Sequence, residues 1–234
     1  MTEVNLLGSQ PKVMRDVNAR IHGKERLRTL ALKFGQEYFD GTREQGYGGY
    51  RYDGRWIPVA HRIINHFGLK AHDRVLDVGC AKGFLVKDLL DACPGLDVYG
   101  LDISEYALSQ APAEVKNRLV LGTADSLPFL DSSFEAVISI NTLHNLNRRR
   151  CLSALRELER LAPGKAFVQV DTYRDDKERA VFEDWMLTAK TYCRPEEWIA
   201  LFTEAGYAGD YFWTILELDP ETTRSRHIGA SSGF

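Results

Sequence analysis

The sequence has no apolar run approaching the roughly 18 residues of a membrane-spanning helix. Its first 18 residues lack the apolar stretch and cleavage site of a signal peptide, so neither feature is expected. The four cysteines (Cys80, Cys93, Cys151 and Cys193) are widely spaced and form no C-x-x-C pair. A zinc site and a disulfide framework are therefore not expected. An excess of one charge is missing too: 30 Lys and Arg stand against 33 Asp and Glu, a formal charge of −3. That balance gives no electrostatic reason to expect a nucleic-acid or membrane partner. A cytoplasmic protein with free thiols is the expectation.

What is present is enough to build a core. Of 234 residues 44% are hydrophobic and 11% aromatic, which fits one large domain. Three stretches differ in texture: an arm over 1–57, a regular region over 58–218 and a polar tail over 219–234. In the arm, Leu27, Leu30, Ala31 and Phe34 recur at helical spacing, predicting a helix over 25–34. The following Tyr38-Phe39-Asp40-Gly41 and the glycine- and tyrosine-rich 46–56 read as loop. Pro58 suits a helix start. Beyond it, strands are predicted over 74–78, 98–101, 118–121, 136–140 and 166–170, with helices over 84–92, 105–110 and 148–161. Two helices (177–187 and 195–205) and a strand (211–218) complete the series. This βαβα rhythm implies a parallel sheet with helices on both faces.

Three strand ends carry chemistry. In Val75-Leu76-Asp77-Val78-Gly79-Cys80-Ala81-Lys82-Gly83-Phe84 a strand delivers Asp77, the chain turns on small residues, and a helix begins. Gly79 and Ala81 let the backbone approach a ligand, and the helix N–H groups favour acceptor atoms. Phe84 stands where a dinucleotide fingerprint needs glycine, and Asp77 would repel a phosphate, so NAD is disfavoured. About 20 residues on, where a ribose-binding acid is placed in such folds, Asp102 ends the next strand and can accept from a ribose diol. Asp125, in Gly122-Thr123-Ala124-Asp125 after the third strand, can accept from an adenine amino group.

In this order and spacing the three segments resemble the class I S-adenosylmethionine-dependent methyltransferases, over about 58–218. The resemblance implies a doubly wound, mostly parallel Rossmann-like α/β fold with a seven-stranded-type sheet and an N-terminal cap. It implies S-adenosyl-L-methionine as cofactor, with Asp77, Gly79 and Ala81 around its methionine half. Asp102 would hold the ribose, Ile103 would touch adenine, Ala124 and Asp125 would bind the adenine edge, and Asn141 would lie beside the transferred methyl. Two departures stand out. Ala81 replaces a usual glycine, and one strand follows residue 205 where the family closes its sheet with an antiparallel hairpin. Either 226–230 supplies a last strand, or the edge is built differently.

His144 falls at the C-terminal lip of the sheet. It reads either as a general base or substrate-orienting group or as a packing histidine. Asp171 and Tyr173, after the fifth strand, are the other catalytic candidates, needed only if the acceptor arrives protonated. No metal-ligand cluster is evident, which argues against the metal-dependent catechol type. The loop holding Tyr47, Tyr50, Arg51 and Arg55 reads as a lid, or as a plug that packs the arm down. Arg51, Arg55, Arg174 and Lys190 fit an anionic small-molecule acceptor, methylated on O or N. Cys80 reads as a small buried residue rather than a nucleophile. A protein or RNA methyltransferase, a non-catalytic cofactor-binding module and a dinucleotide reductase stay as alternatives.

Overall fold

The computed structural model describes residues 1–8, 17–21 and 23–216. The polar tail, the proposed strand over 226–230 and the last two residues of 211–218 lie outside them. The cap holds α1 (Lys24–Ala31) and α2 (Gln36–Asp40), and α3 (Ile57–Phe67) follows. Then come β1 (Arg74–Val78), α4 (Phe84–Ala92), β2 (Asp97–Asp102), α5 (Glu105–Ser109), β3 (Leu119–Leu121) and β4 (Ala136–Ile140). The chain continues through α6 (Arg148–Leu161), β5 (Ala166–Thr172), α7 (Asp176–Trp185), α8 (Pro195–Ala205) and β6 (Asp210–Ile215).

The described strands form one six-stranded sheet in the order β3-β2-β1-β4-β5-β6, every neighbouring pair parallel. Alternation along the strands divides the apolar side chains between two faces. Leu76, Val78, Val137, Val168 and Val170 pack with Leu155 and Leu158 of α6 and Trp198 and Phe202 of α8. Val75, Ala136, Ile138 and Phe167 pack with Val59 and Ile63 of α3 and Leu85 and Leu89 of α4. Each such large side chain, fully buried, contributes roughly 1.5–3 kcal/mol. These two apolar layers hold the strand ends still. The strand order reverses between β1 and β4, and open α/β sheets bind ligands outside the carboxyl ends of the strands at that point.

The structure corrects two expectations. Tyr38, Phe39 and Asp40 lie on the short helix α2, not in loop. Phe39 is buried there and its ring meets Tyr38, Tyr47, Tyr50 and Tyr106, so tertiary packing supplies what propensity does not. Asp171 and Thr172 belong to β5 because β6 pairs them, Asp171 with Thr214 and Thr172 with Ile215. The sheet has six strands among the described residues, and β6 lies parallel to β5. The outer edge of β6 is partly covered by the N-terminus. Tyr211 N–H donates to Thr2 O at 3.0 Å, and Val4 N–H donates to Tyr211 O at 2.9 Å. Among the described residues no helix is long and apolar enough to cross a membrane.

Candidate functional site

Two cavities meet over the β1–β4 junction, sharing Tyr38, Tyr47, Gly79, Ala81, Ile140 and Asn141 as walls. The larger has a volume of about 1390 Å³ and reaches toward β6; the smaller, about 280 Å³, lies toward β3. Their common wall is set by backbone geometry. Gly79 has φ +86°, and a Cβ on it would stand 1.9 Å from Thr142 Oγ1. Only glycine fits there. Ala81 takes φ +50° and Asn141 φ +55°, left-handed conformations rarely adopted by L-residues and concentrated at functional sites. Asn141 N–H donates to Gln169 Oε1 at 2.9 Å, and Gln169 in turn donates to Thr214 Oγ1 at 2.7 Å. The turn after β4 is therefore braced from β5 and β6.

Asp77 and Asp102 end neighbouring strands with different surroundings. Asp102 is buried and both its oxygens are oriented: Oδ2 accepts from Ala81 N–H and Oδ1 from Ser104 N–H, each at 2.8 Å. A carboxylate so held keeps lone pairs for a diol in the smaller cavity, which it lines with Ile103 and Ala124. Asp77 is equally buried and lines the larger cavity, yet its carboxyl has no hydrogen-bond partner among the described residues. Burial, and secondarily the charge of Asp102, push its pKa up to about 8. A buried acceptor without a donor is costly, and a ligand ammonium would satisfy it. The residues present therefore fit an α-amino group beside Asp77 and a ribose beside Asp102.

Two expected site residues lie elsewhere. Asp125 lines neither cavity; Arg150 Nε and Nη2 donate to its oxygens at 2.6 and 2.7 Å. Arg150 itself lines the smaller cavity, so the carboxylate expected at the adenine edge is committed to a fork-like ion pair. Tyr173 is buried outside both cavities, edge-on to Tyr192 at 6.4 Å. His144, Asp171, Tyr47, Tyr50, Arg51 and Arg55 all line the larger cavity. Cys80 is buried there, its thiol pKa pushed well above the ordinary value by burial, which suits a packing role. Of the anticipated cations, Arg55 is paired with Asp53 and Arg174 with Glu178. Arg51 has no hydrogen-bond or ion-pair partner among the described residues.

The residues that fasten the cap were missed by sequence reasoning. Lys82, buried in the turn before α4, donates to both oxygens of Asp40 at 2.7 Å, and Tyr106 Oη donates to the same carboxylate at 2.7 Å. Burial raises the Asp40 pKa, but these donors outweigh it and hold the carboxyl below its ordinary value. Ser104, besides capping α5, donates to Phe34 O at 2.6 Å. Arg20 donates to the carbonyls of Trp185, Arg43 and Gly46 and stacks 3.6 Å from the Trp185 ring. The only available signal was a lone buried-type lysine inside the first motif.

Fold and cavities together define a parallel α/β protein in which two cavities meet at the sheet's switch point. Residues 75–164 match the family model described as a methyltransferase domain. The chain is 31% identical over 129 residues to a sterol 24-C-methyltransferase of Gibberella zeae, covering 50% of this chain and 33% of that protein. It is 33% identical over 94 residues to a demethylmenaquinone methyltransferase of Thermotoga maritima, covering 40% of each. The chain thus spans well under two thirds of the length of these relatives. A crystal structure of a Bacillus halodurans protein described as a candidate methyltransferase superposes with a TM-score of 0.50 at 21% identity. That match covers 63% of this chain and 68% of the other, and it bears on the fold alone. Over residues 75–164 the chain is therefore similar to methyltransferase domains.

Proposed function

We propose that the protein transfers a methyl group from S-adenosylmethionine to a small anionic metabolite. The observation that carries this reading is Asp77: a buried carboxyl with no donor among the described residues, at the junction of two cavities. When bound, S-adenosylmethionine supplies an activated methyl on a sulfonium. Asp77 would take its amino group, Asp102 its ribose hydroxyls, and Ile103 and Ala124 would flank adenine. Gly79, Ala81 and Asn141 form the neck between the cavities, where the reacting groups of cofactor and acceptor would meet.

The cap serves as a lid in this reading. Tyr47 faces both cavities, and Tyr50 stacks on Phe84 with centroids 5.1 Å apart. Both rings would exclude water from the neck, which strengthens electrostatic interactions there. An anionic acceptor is supported by Arg43 and Arg51 on the wall of the larger cavity. Among the described residues Arg43 donates to the backbone carbonyls of Gly46 and Tyr47 and pairs with no carboxylate.

Calorimetric titration with S-adenosylmethionine, its demethylated product and NAD tests the cofactor. Binding of the first two and not the third is expected. Binding of NAD alone would overturn the reading.

A further inference from the structure

His144 and Asp171 form a matched donor and acceptor on the wall of the larger cavity. The backbone explains their placement. Beyond the end of β4, the Asp171 N–H has no strand carbonyl to meet, and it donates instead to His144 Nδ1 at 3.2 Å. The Asp171 carbonyl accepts from Trp198 Nε1 at 3.1 Å. Two side chains therefore hold this residue's backbone, one at its N–H and one at its carbonyl. His144 is fixed in turn: its carbonyl accepts from Lys190 N–H at 2.9 Å and Thr191 N–H at 3.0 Å.

With Nδ1 accepting, the neutral ring must carry its proton on Nε2. Burial lowers the His144 pKa, against an opposing pull from Asp171, so the neutral ring is the form present at pH 7. Nε2 lies 3.8 Å from Asp171 Oδ2. That is too far for a hydrogen bond between them. The Asp171 carboxylate has no other polar partner among the described residues. An oxygen about 2.8 Å from each atom would subtend an angle of about 85°, compatible with one donated and one accepted bond.

We infer that the methyl acceptor is a hydroxyl, seated between His144 Nε2–H and the Asp171 carboxylate, with Asp171 taking its proton. This rests on the methyltransferase reading above and narrows its acceptor. A hydroxyl oxygen has two lone pairs: one accepts from His144 while the other attacks. A neutral amine has a single lone pair, which the same Nε2–H would occupy, and an ammonium has none. In the reaction the oxygen–methyl bond forms as the methyl–sulfur bond breaks, its electron pair going to sulfur. The hydroxyl proton passes to Asp171 Oδ2 and then to water. His144 is thus a donor that orients the acceptor, not the base.

Two measurements test this. The first is nitrogen-15 magnetic resonance of histidine-labelled protein saturated with the demethylated cofactor, the His144 signals being those lost in H144Q. A pyrrole-type Nε2 and pyridine-type Nδ1 between pH 6 and 8 are expected. The opposite tautomer, or an imidazolium, overturns the inference. The second is methyl transfer from labelled S-adenosylmethionine to paired hydroxy and amino carboxylates, aryl and aliphatic. Transfer to hydroxyl members is expected, with D171N lowering kcat about 100-fold or more while the KM for acceptor changes little. Transfer to the amino members, or to neither series, overturns it. Calorimetry with S-adenosylmethionine separates the failures. If wild type and D171N both bind it, the cofactor reading stands whatever the acceptor result; if neither binds, that reading fails first.

Discussion

The two cavities were built by different means, and the contrast explains what each could reveal in advance. The smaller is shaped mainly by the turns that follow β1, β2, β3 and β4, at Gly79, Asp102, Gly122 and Asn141, with the cap as a roof. The larger borrows its walls from Arg20, the tyrosine–glycine loop, Asp171, the end of α7 and β6. One is mostly local geometry repeated at strand ends; the other is long-range assembly. Substitutions that break local geometry should therefore cost most, and those that touch single assembled contacts should cost less.

The largest effect is expected at Gly79. G79A adds a Cβ 1.9 Å from Thr142 Oγ1 and 2.6 Å from Thr142 Cγ2, at a φ of +86°. Strain and overpacking together should destabilise the fold by about 3 kcal/mol or more, lowering Tm by roughly 10 °C. Gly83 supplies the control. It too has a positive φ, +73°, but its Cβ would meet only side-chain atoms of Leu119 and Val115, at 3.1 Å and beyond. G83A should lower Tm by less than half as much in the same calorimetric scan. Equal losses would mean that the turn after β1 is not the tighter of the two.

Asp77 comes next because its effect depends on pH. Its folded pKa of about 8 lies above the unfolded value near 3.8, so the folded state binds the proton more tightly. Stability contributed by this proton is full below about pH 4 and is lost progressively as pH rises toward 8. D77N removes that loss. The Tm advantage of ligand-free D77N over wild type should therefore grow from pH 5 to pH 8. In the same protein, S-adenosylmethionine should bind about ten- to a hundredfold more weakly, one charge-assisted bond being worth roughly 1.5–3 kcal/mol. A variant with a pH-independent Tm difference would show that Asp77 is solvated in the free protein.

How far the sequence was legible follows the same division. Strands β1 and β4 and helices α4, α6 and α8 match the predicted spans because apolar periodicity and Gly or Pro punctuation act within each segment. Gly79, Ala81, Asp102, Ile103, Ala124 and Asn141 line the cavities because each sits one turn from a strand end. The Lys82–Asp40–Tyr106 contact joins residues 42 and 66 positions apart, and no local pattern signals it. The same holds for Arg20 with Trp185, 165 positions away. The direction in which Tyr173 turns is set by Tyr192 and Arg179, which lie on later elements.

The cap fastening tests whether long-range contacts are individually weaker. K82M leaves Asp40 with Tyr106 as its remaining side-chain donor. Removing one partner of a buried pair costs roughly 3–5 kcal/mol. Asp40 keeps access to water, its side chain being 24% exposed, so a smaller loss of about 1–2 kcal/mol is expected here. Hydrogen exchange should show faster opening over residues 36–56 with the sheet unchanged. Uniform acceleration across the sheet would instead make the cap part of one cooperative unit.

The smallest effect is expected at Asp125, where local pattern and assembled contact disagree. Its place after β3 marks it as a partner for adenine, while Arg150 binds both its oxygens. D125N keeps the side chain's size and removes the charge. If the carboxylate serves Arg150 alone, S-adenosylmethionine affinity should change by less than about threefold, since the partly exposed pair contributes about 1 kcal/mol or less. D102N, by contrast, should weaken binding by tenfold or more, because that carboxylate is oriented by two backbone donors and faces the cavity. A loss at Asp125 equal to that at Asp102 would mean that Arg150 swings away on binding, and that the smaller cavity, too, is completed only by assembly.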